Sequence, residues 1–142
     1  MKRRQTGVTT LEFAIVGPTA LLILLGCIET GRALFVWNTA VEATRRGARI
    51  AAVVTPDATG LTTIQTAVTS FGNVSELKTA NVKVTYYDAA GKATVVSNDI
   101  KYVTVETTGV KHTLLFGLFN LGVDMPAFTT TLPSESLGFV TP

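Results

Sequence analysis

One side chain stands out as a candidate for chemistry, and it is a carboxylate. Glu12 is the only charge between Arg4 and Glu29, and Phe13 to Ile28 follow it with no charge at all. A carboxylate drawn into a bilayer costs several kcal/mol unless it is paired or protonated, so its position requires a reason. Other reactive types offer less. His112 is the sole histidine, set between Lys111 and Thr113 after a strand, where a surface or turn position is expected rather than a ligand. Cys27 is the sole cysteine, so no intrachain disulfide can form. It reads as a small apolar residue of a helix. Asp88, Asp99 and Asp124 fall in turns without the spacing of a calcium loop. No serine or cysteine has a recognisable catalytic companion. The expectation is a protein that is not an enzyme, with no catalytic residue, no metal and no cofactor.

The elements around Glu12 must therefore explain it. The chain has 142 residues, enough for one domain. Its hydrophobic fraction of 46% is concentrated in the first third, and charged residues make up only 15%. Net charge is +2, with Lys2, Arg3 and Arg4 supplying three positives. Past Pro56 there are 5 basic against 7 acidic residues. A nucleic-acid binder should show a basic face there, so no nucleic-acid partner is expected. The basic N-terminus reads instead as the cytoplasmic flank of a membrane helix. At about 1.5 Å per residue, Phe13–Ile28 rises roughly 24 Å, short of the ~30 Å hydrocarbon core. Counting back to Val8 gives about 31 Å and draws Glu12 inside. Gly17-Pro18 lies within this span. Proline removes a helix hydrogen bond, which a membrane helix tolerates.

From Glu29 to Val54 the helical period continues while the character changes. Leu34, Trp37, Val41, Thr44, Ala48 and Ala51 recur at spacings of 3 and 4, a stripe expected to pack the helix on its own domain. Ala40, Ala43, Gly47, Ala48, Ala51 and Ala52 leave room for a close neighbour. Glu29 can reach Arg32, and Glu42 can reach Arg45 and Arg46. Pro56 ends the pattern. A helix from Val8 to Val54 would be about 70 Å long, more than so small a globule can cover. Its first half must therefore contact lipid or other chains. Asp57–Gly60 reads as a break and Leu61–Phe71 as a short second helix ending at Gly72-Asn73. Ala80–Tyr87, Lys92–Ser97 and Ile100–Thr108 read as strands of an antiparallel sheet, with a turn at Asp88–Gly91. The uncharged segment Thr113–Val123 is too short to span a bilayer. It reads as a buried loop or short helix over the sheet, or as a contact patch. Met125–Leu132 reads as a last strand ending at Pro133. The fold class is thus α+β: a long N-terminal transmembrane and amphipathic helix packed on a small antiparallel β-sheet.

The N-terminal residues carry a family resemblance. A basic leader followed by Gly7-Val8-Thr9-Thr10-Leu11-Glu12-Phe13 and an apolar helix resembles the processing signature of type IV prepilins. Leu11–Pro18, Leu24–Leu34, Asn38 and Ala43–Arg49 narrow it: together they resemble TadE-like pseudopilins, minor pilins of the tight-adherence (Tad/Flp) pilus system. Thr9, Thr10 and Thr19 are more polar than the Ala-rich version usual in that family. The resemblance covers residues 7 to 52. It implies cleavage between Gly7 and Val8 by a prepilin peptidase, with Lys2, Arg3 and Arg4 holding the leader at the cytoplasmic face. Gly7 has no side chain to obstruct the peptidase. It further implies that Glu12, beside Phe13, neutralises the new α-amine of a neighbouring subunit, which would account for a carboxylate in the anchor. The implied partners are the prepilin peptidase, other pilin subunits, the inner-membrane assembly machinery and the lipid bilayer. The implied location is the bacterial inner membrane, single-pass, with the C-terminal domain periplasmic, and then the pilus surface, where the chain would serve adhesion. Four segments follow: a cleaved leader 1–7, a transmembrane and assembly half 8–28, an amphipathic half 29–56, and a β-rich domain 57–142. The packing stripe is represented by Leu34, Trp37, Val41 and Ala48.

Two rival readings use the same residues. Leu24-Leu25-Gly26-Cys27 resembles a lipobox, which would make Cys27 the lipidated first residue of a lipoprotein. Glu12 and Pro18 interrupt the apolar region such a signal needs, and the helical pattern runs through the cut point. An ordinary secretory signal fares no better, because Gly31-Arg32-Ala33 is not a small-x-small site. A membrane-anchored extracytoplasmic protein outside pilus assembly is the remaining alternative.

Overall fold

A computed structural model describes residues 6–114 and 122–134. The leader charges Lys2, Arg3 and Arg4 and most of the apolar segment Thr113–Val123 lie outside the described residues. The elements in chain order are helices α1 (Thr6–Ala51) and α2 (Ala58–Thr69), then strands β1 (Val82–Tyr87), β2 (Tyr102–Thr107), β3 (Lys111–Thr113), β4 (Gly122–Asp124) and β5 (Phe128–Pro133). The fold is α+β, a long N-terminal helix with its later turns packed on a small antiparallel sheet. The chain divides into two compact units, Met1–Leu34 and Phe35–Pro142.

Within the second unit the core forms where α1 carries small side chains. Val36, Ala40, Ala43, Ala48, Ala51 and Ala52 are buried together with Ile64 and Val68 of α2 and Val82, Val103 and Val105 of the sheet. Gly47 is the closest approach: a Cβ there would collide with Val68 and meet Val105 at 3.4 Å. Glycine inside a helix costs about 1 kcal/mol against alanine, and here it makes room for α2.

This face differs from the stripe read from the sequence. Ala48 is buried and Val41 half-buried, but Leu34 and Trp37 are exposed at 56% and 42%. The stripe rests on heptad-like spacing, and its later members Thr44, Ala48 and Ala51 are buried. The sheet and α2 instead approach the side of the helix with the least bulk.

Pro56 follows the last turn of α1, and Asp57 begins the next helix. Its extended backbone and its Oδ1, which accepts from Gly60 N at 2.6 Å, make it the N-cap of α2. The break expected at Asp57–Gly60 is thus also the first turn of α2. Ile64 and Val68 are buried, Phe71 packs against the core, and Leu61 is exposed. Gly72 takes φ +69°, a left-handed conformation at the end of the helix.

The three-stranded sheet has the order β1-β2-β5, antiparallel throughout. Alternation places Val82, Val84 and Tyr86 inward beside Val103, Val105 and Thr107, with Phe128 and Leu132 from β5. Pro133 is accommodated at the end of an edge strand, where its missing N–H costs no ladder bond. Burial and the charge of Asp57 raise the Tyr86 phenol above its ordinary value.

The expected strand Lys92–Ser97 does not form. Ala93 makes one bridge with Tyr87, and Thr94 N donates to Tyr86 O. Val96 N then donates to the Thr94 hydroxyl, which ends the ladder, and Ser97–Asp99 turns as a 3-10 helix. Val95 and Val96 are left exposed. The partner of β1 is therefore β2. The hairpin β3–β4, which the sequence reading did not separate, carries the chain from β2 to β5.

A buried hydroxyl pair ties α1 to β2. Thr44 Oγ1 donates to Ala40 O at 2.7 Å and lies 2.7 Å from Thr107 Oγ1. Because the Thr44 proton is engaged, Thr107 is the donor between them. Thr44→Val should therefore strand the Thr107 hydroxyl and cost about 1–3 kcal/mol. Thr107→Val leaves Thr44 bonded and should cost under about 1 kcal/mol. Denaturant unfolding of both variants checks the asymmetry; equal losses would contradict the assigned donor. By the same measurement Gly47→Ala should lose about 1–3 kcal/mol through overpacking against Val68, despite alanine's better helix propensity.

Candidate membrane and assembly surface

The described residues of the first unit, from Thr6 on, are helical, and their chemistry follows from their exposure. From Gly7 to Leu24 every side chain is exposed except Gly17, which is intermediate. Val8, Leu11, Phe13, Ile15, Val16, Leu21, Leu22, Ile23 and Leu24 are each more than half exposed. The most apolar window has a mean hydropathy of 2.2 with none of it buried. A soluble helix buries an apolar stripe and exposes a polar one. This one is apolar all round, and its length and composition suit it to cross a membrane.

Two threonine hydroxyls within this helix are satisfied locally. The Thr19 and Thr30 hydroxyls donate to Ile15 O and Gly26 O, both at 2.8 Å. Such back-bonds remove the cost of placing a hydroxyl in hydrocarbon. The helix runs through Pro18 without a break in its assignment. The Phe13 ring lies across Gly17, at 3.8 Å from where a Cβ would be.

The two glutamates of the apolar half have opposite surroundings. Glu29 is covered, 7% exposed, and its Oε1 accepts from Arg32 Nη2 at 2.9 Å. That is the i,i+3 contact anticipated from spacing. Glu12 is exposed and makes no hydrogen bond or ion pair with the described residues. The Gly7–Val8 peptide lies in the first turn of α1, and nothing lies within 4 Å of a Cβ built on Gly7. Cys27 is exposed on the same helix.

Further along α1, Glu42 meets Arg45 at 3.6 Å, and Arg46 lies over the Phe71 ring at 5.7 Å rather than joining that pair. The exposed Trp37 sets its ring edge-on to Phe128 at 5.6 Å between centroids.

His112 is buried at 1% exposure, not at the surface or in a turn, and its Nδ1 lies 3.7 Å from Glu76 Oε1. Val110, two residues earlier, is buried as well. That alternation was the available signal, but a strand of three residues is too short to reveal it.

The described residues thus define a protein with an uncovered apolar N-terminal helix joined in sequence to a small α+β domain. Residues 7–49 match the family described as TadE-like protein. The match begins at the glycine of the Gly7–Val8 bond and takes in Glu12 and Phe13. The match likens this segment, less than half of the chain, to that family. No curated protein and no solved structure matches the chain.

Proposed function

We infer that the chain is a minor pilin or pseudopilin of a Tad/Flp-type pilus. It is inserted in the inner membrane with its N-terminus cytoplasmic, cut by a prepilin peptidase between Gly7 and Val8, and assembled into or at the tip of the fibre for adhesion. The observation that carries this reading is the coincidence of the TadE-like segment with a helix whose most apolar window has none of its residues buried among the described residues. Such a helix has two ways out of water, lipid before assembly and neighbouring helices after it. Glu12 is the residue that separates the two states. In lipid its charge is costly; next to the α-amine of another subunit's Val8 it becomes half of an ion pair in low dielectric. The small α+β domain goes beyond a bare helix and favours a minor or tip role over that of a bulk subunit.

The lipoprotein alternative needs a cut before Cys27. In the structure α1 runs unbroken through Gly26 and Cys27, which supports the earlier cut. Intact mass of the membrane-extracted protein distinguishes a start at Val8 from a diacylated start at Cys27.

Replacing Gly7 with phenylalanine starts from a position where a Cβ meets nothing within 4 Å. It should nonetheless slow processing by about tenfold or more, equivalent to ~1.4 kcal/mol in the barrier. N-terminal sequencing should then find precursor retaining Lys2, Arg3 and Arg4, and wild-type processing would sink the cleavage assignment. Glu12→Ala should be cut normally but reduce pili recovered by shearing about tenfold. Unchanged piliation would remove the pairing role from Glu12.

A further inference from the structure

The outward face of the sheet lies wholly within the second unit, and the strand register fixes its layout. Each strand turns every second residue away from the core, and the pairing of β1, β2 and β5 sets those residues in rows. Lys83, Glu106 and Thr129 make the first row, and Thr85, Thr104 and Thr131 the second. Tyr87, Tyr102 and Pro133 make the third. All of these side chains are exposed or half-buried, whereas Val82, Val103 and Val105 between them are buried. With strands about 4.8 Å apart and same-face residues about 6.8 Å apart along a strand, the rows cover roughly 10 by 14 Å.

Charge is confined to one row. The register sets Lys83 opposite Glu106, so these positions carry no net charge. The middle row is hydroxyl. Thr104 Oγ1 and Thr131 Oγ1 lie 2.9 Å apart at the surface. One proton is used between them, and the second proton and the remaining lone pairs are left for a ligand. The third row sets two phenol rings on adjacent strands, with Tyr102 46% exposed. Tyrosine and threonine suit strands in any setting. That propensity accounts for the residue types, but not for their sorting into an aromatic row beside a hydroxyl row.

We propose that this face binds an uncharged polysaccharide built of hexopyranose rings. Such a ring has an apolar face of C–H groups and an edge of hydroxyls. The C–H face stacks on Tyr87 and Tyr102, whose rings offer a large apolar surface with a polar tip. The hydroxyl edge meets Thr104 and Thr131. A nucleic acid or another polyanion requires uncompensated cations, and Lys83 has Glu106 across from it. An apolar protein segment would set the threonine hydroxyls against carbon, at the cost of their hydrogen bonds. The proposal takes its setting from the adhesion inferred above and gives it a ligand class. Binding by the purified protein is measured apart from processing, membrane insertion and fibre assembly, so the two readings fail separately.

Full-length protein, held in a polyoxyethylene detergent without a sugar headgroup, is passed over microcrystalline cellulose and chitin, with alginate beads as the acidic control. The expected result is retention on a neutral polymer, undiminished at high salt and released by soluble cello-oligosaccharide. Tyr87→Ile and Tyr102→Ile keep strand propensity and remove the ring. Each should weaken binding about tenfold, while Tyr102→Phe stays within about twofold of the wild type. Circular dichroism checks that the variants fold. Thr131→Val, at an exposed edge position, should weaken binding about threefold and keeps the test open if an isoleucine variant does not fold. No retention on either neutral polymer overturns the proposal and leaves cleavage and piliation untouched. Equal retention of the wild type and both isoleucine variants puts binding elsewhere and overturns it too. Salt-sensitive retention on alginate alone assigns the face to a polyanion. Self-association that the isoleucine variants abolish assigns it to a second copy. Either result overturns the proposal.

Discussion

The constraint on which the rest depends is the absence of cover on the first half of α1. Ten large apolar side chains between Val8 and Ile28 are more than half exposed. Burying a side chain of this kind completely contributes about 1.5–3 kcal/mol. Even half of that for each amounts to something on the order of 10 kcal/mol, comparable to the whole stability of a typical domain at ~5–15 kcal/mol. None of the most apolar window is buried among the described residues, so removal of this surface from water calls on an apolar phase beyond them. This makes an external apolar phase, lipid or protein, part of the fold's energetics.

The same helix then changes the rule by which it packs, and that change was only partly legible. The uncovered half could be read from composition, because a run without charges needs no partner to be identified. So could Glu29–Arg32 and Glu42–Arg45, which depend on helical spacing alone. The packed half was legible in part: Thr44, Ala48 and Ala51 of the stripe are buried, as are the small residues Ala40, Ala43, Gly47 and Ala52, while its bulkiest members Leu34 and Trp37 are exposed. Interior packing is close to crystalline density, so a sheet and a second helix can both lie on α1 only where α1 is thin. Gly47, helically unfavourable, is the clearest mark of that face. It was visible in the sequence as a small residue among alanines.

The sheet shows the same limit in another form. The inward alternation of Val103, Val105 and Thr107 was readable because period two is local. Which strand lies beside which is not local. Val95 and Val96 look like strand residues, but a threonine hydroxyl captures the N–H that the ladder would need. His112 was misread for a related reason: β3 has three residues, too few for alternation to mark its buried face.

Glu12 and Glu29 bring these threads together. Both are carboxylates on one apolar helix, and composition cannot tell them apart. Burial and pairing can. Glu29 is covered and hydrogen-bonded to an arginine on the next turn, so its charge travels as half of a compact pair. Nothing among the described residues does this for Glu12. A charge left alone in low dielectric is far more costly than one that is paired. An unpaired carboxylate beside an uncovered apolar surface must therefore stay at the water boundary, take up a proton, or meet a cation from another chain.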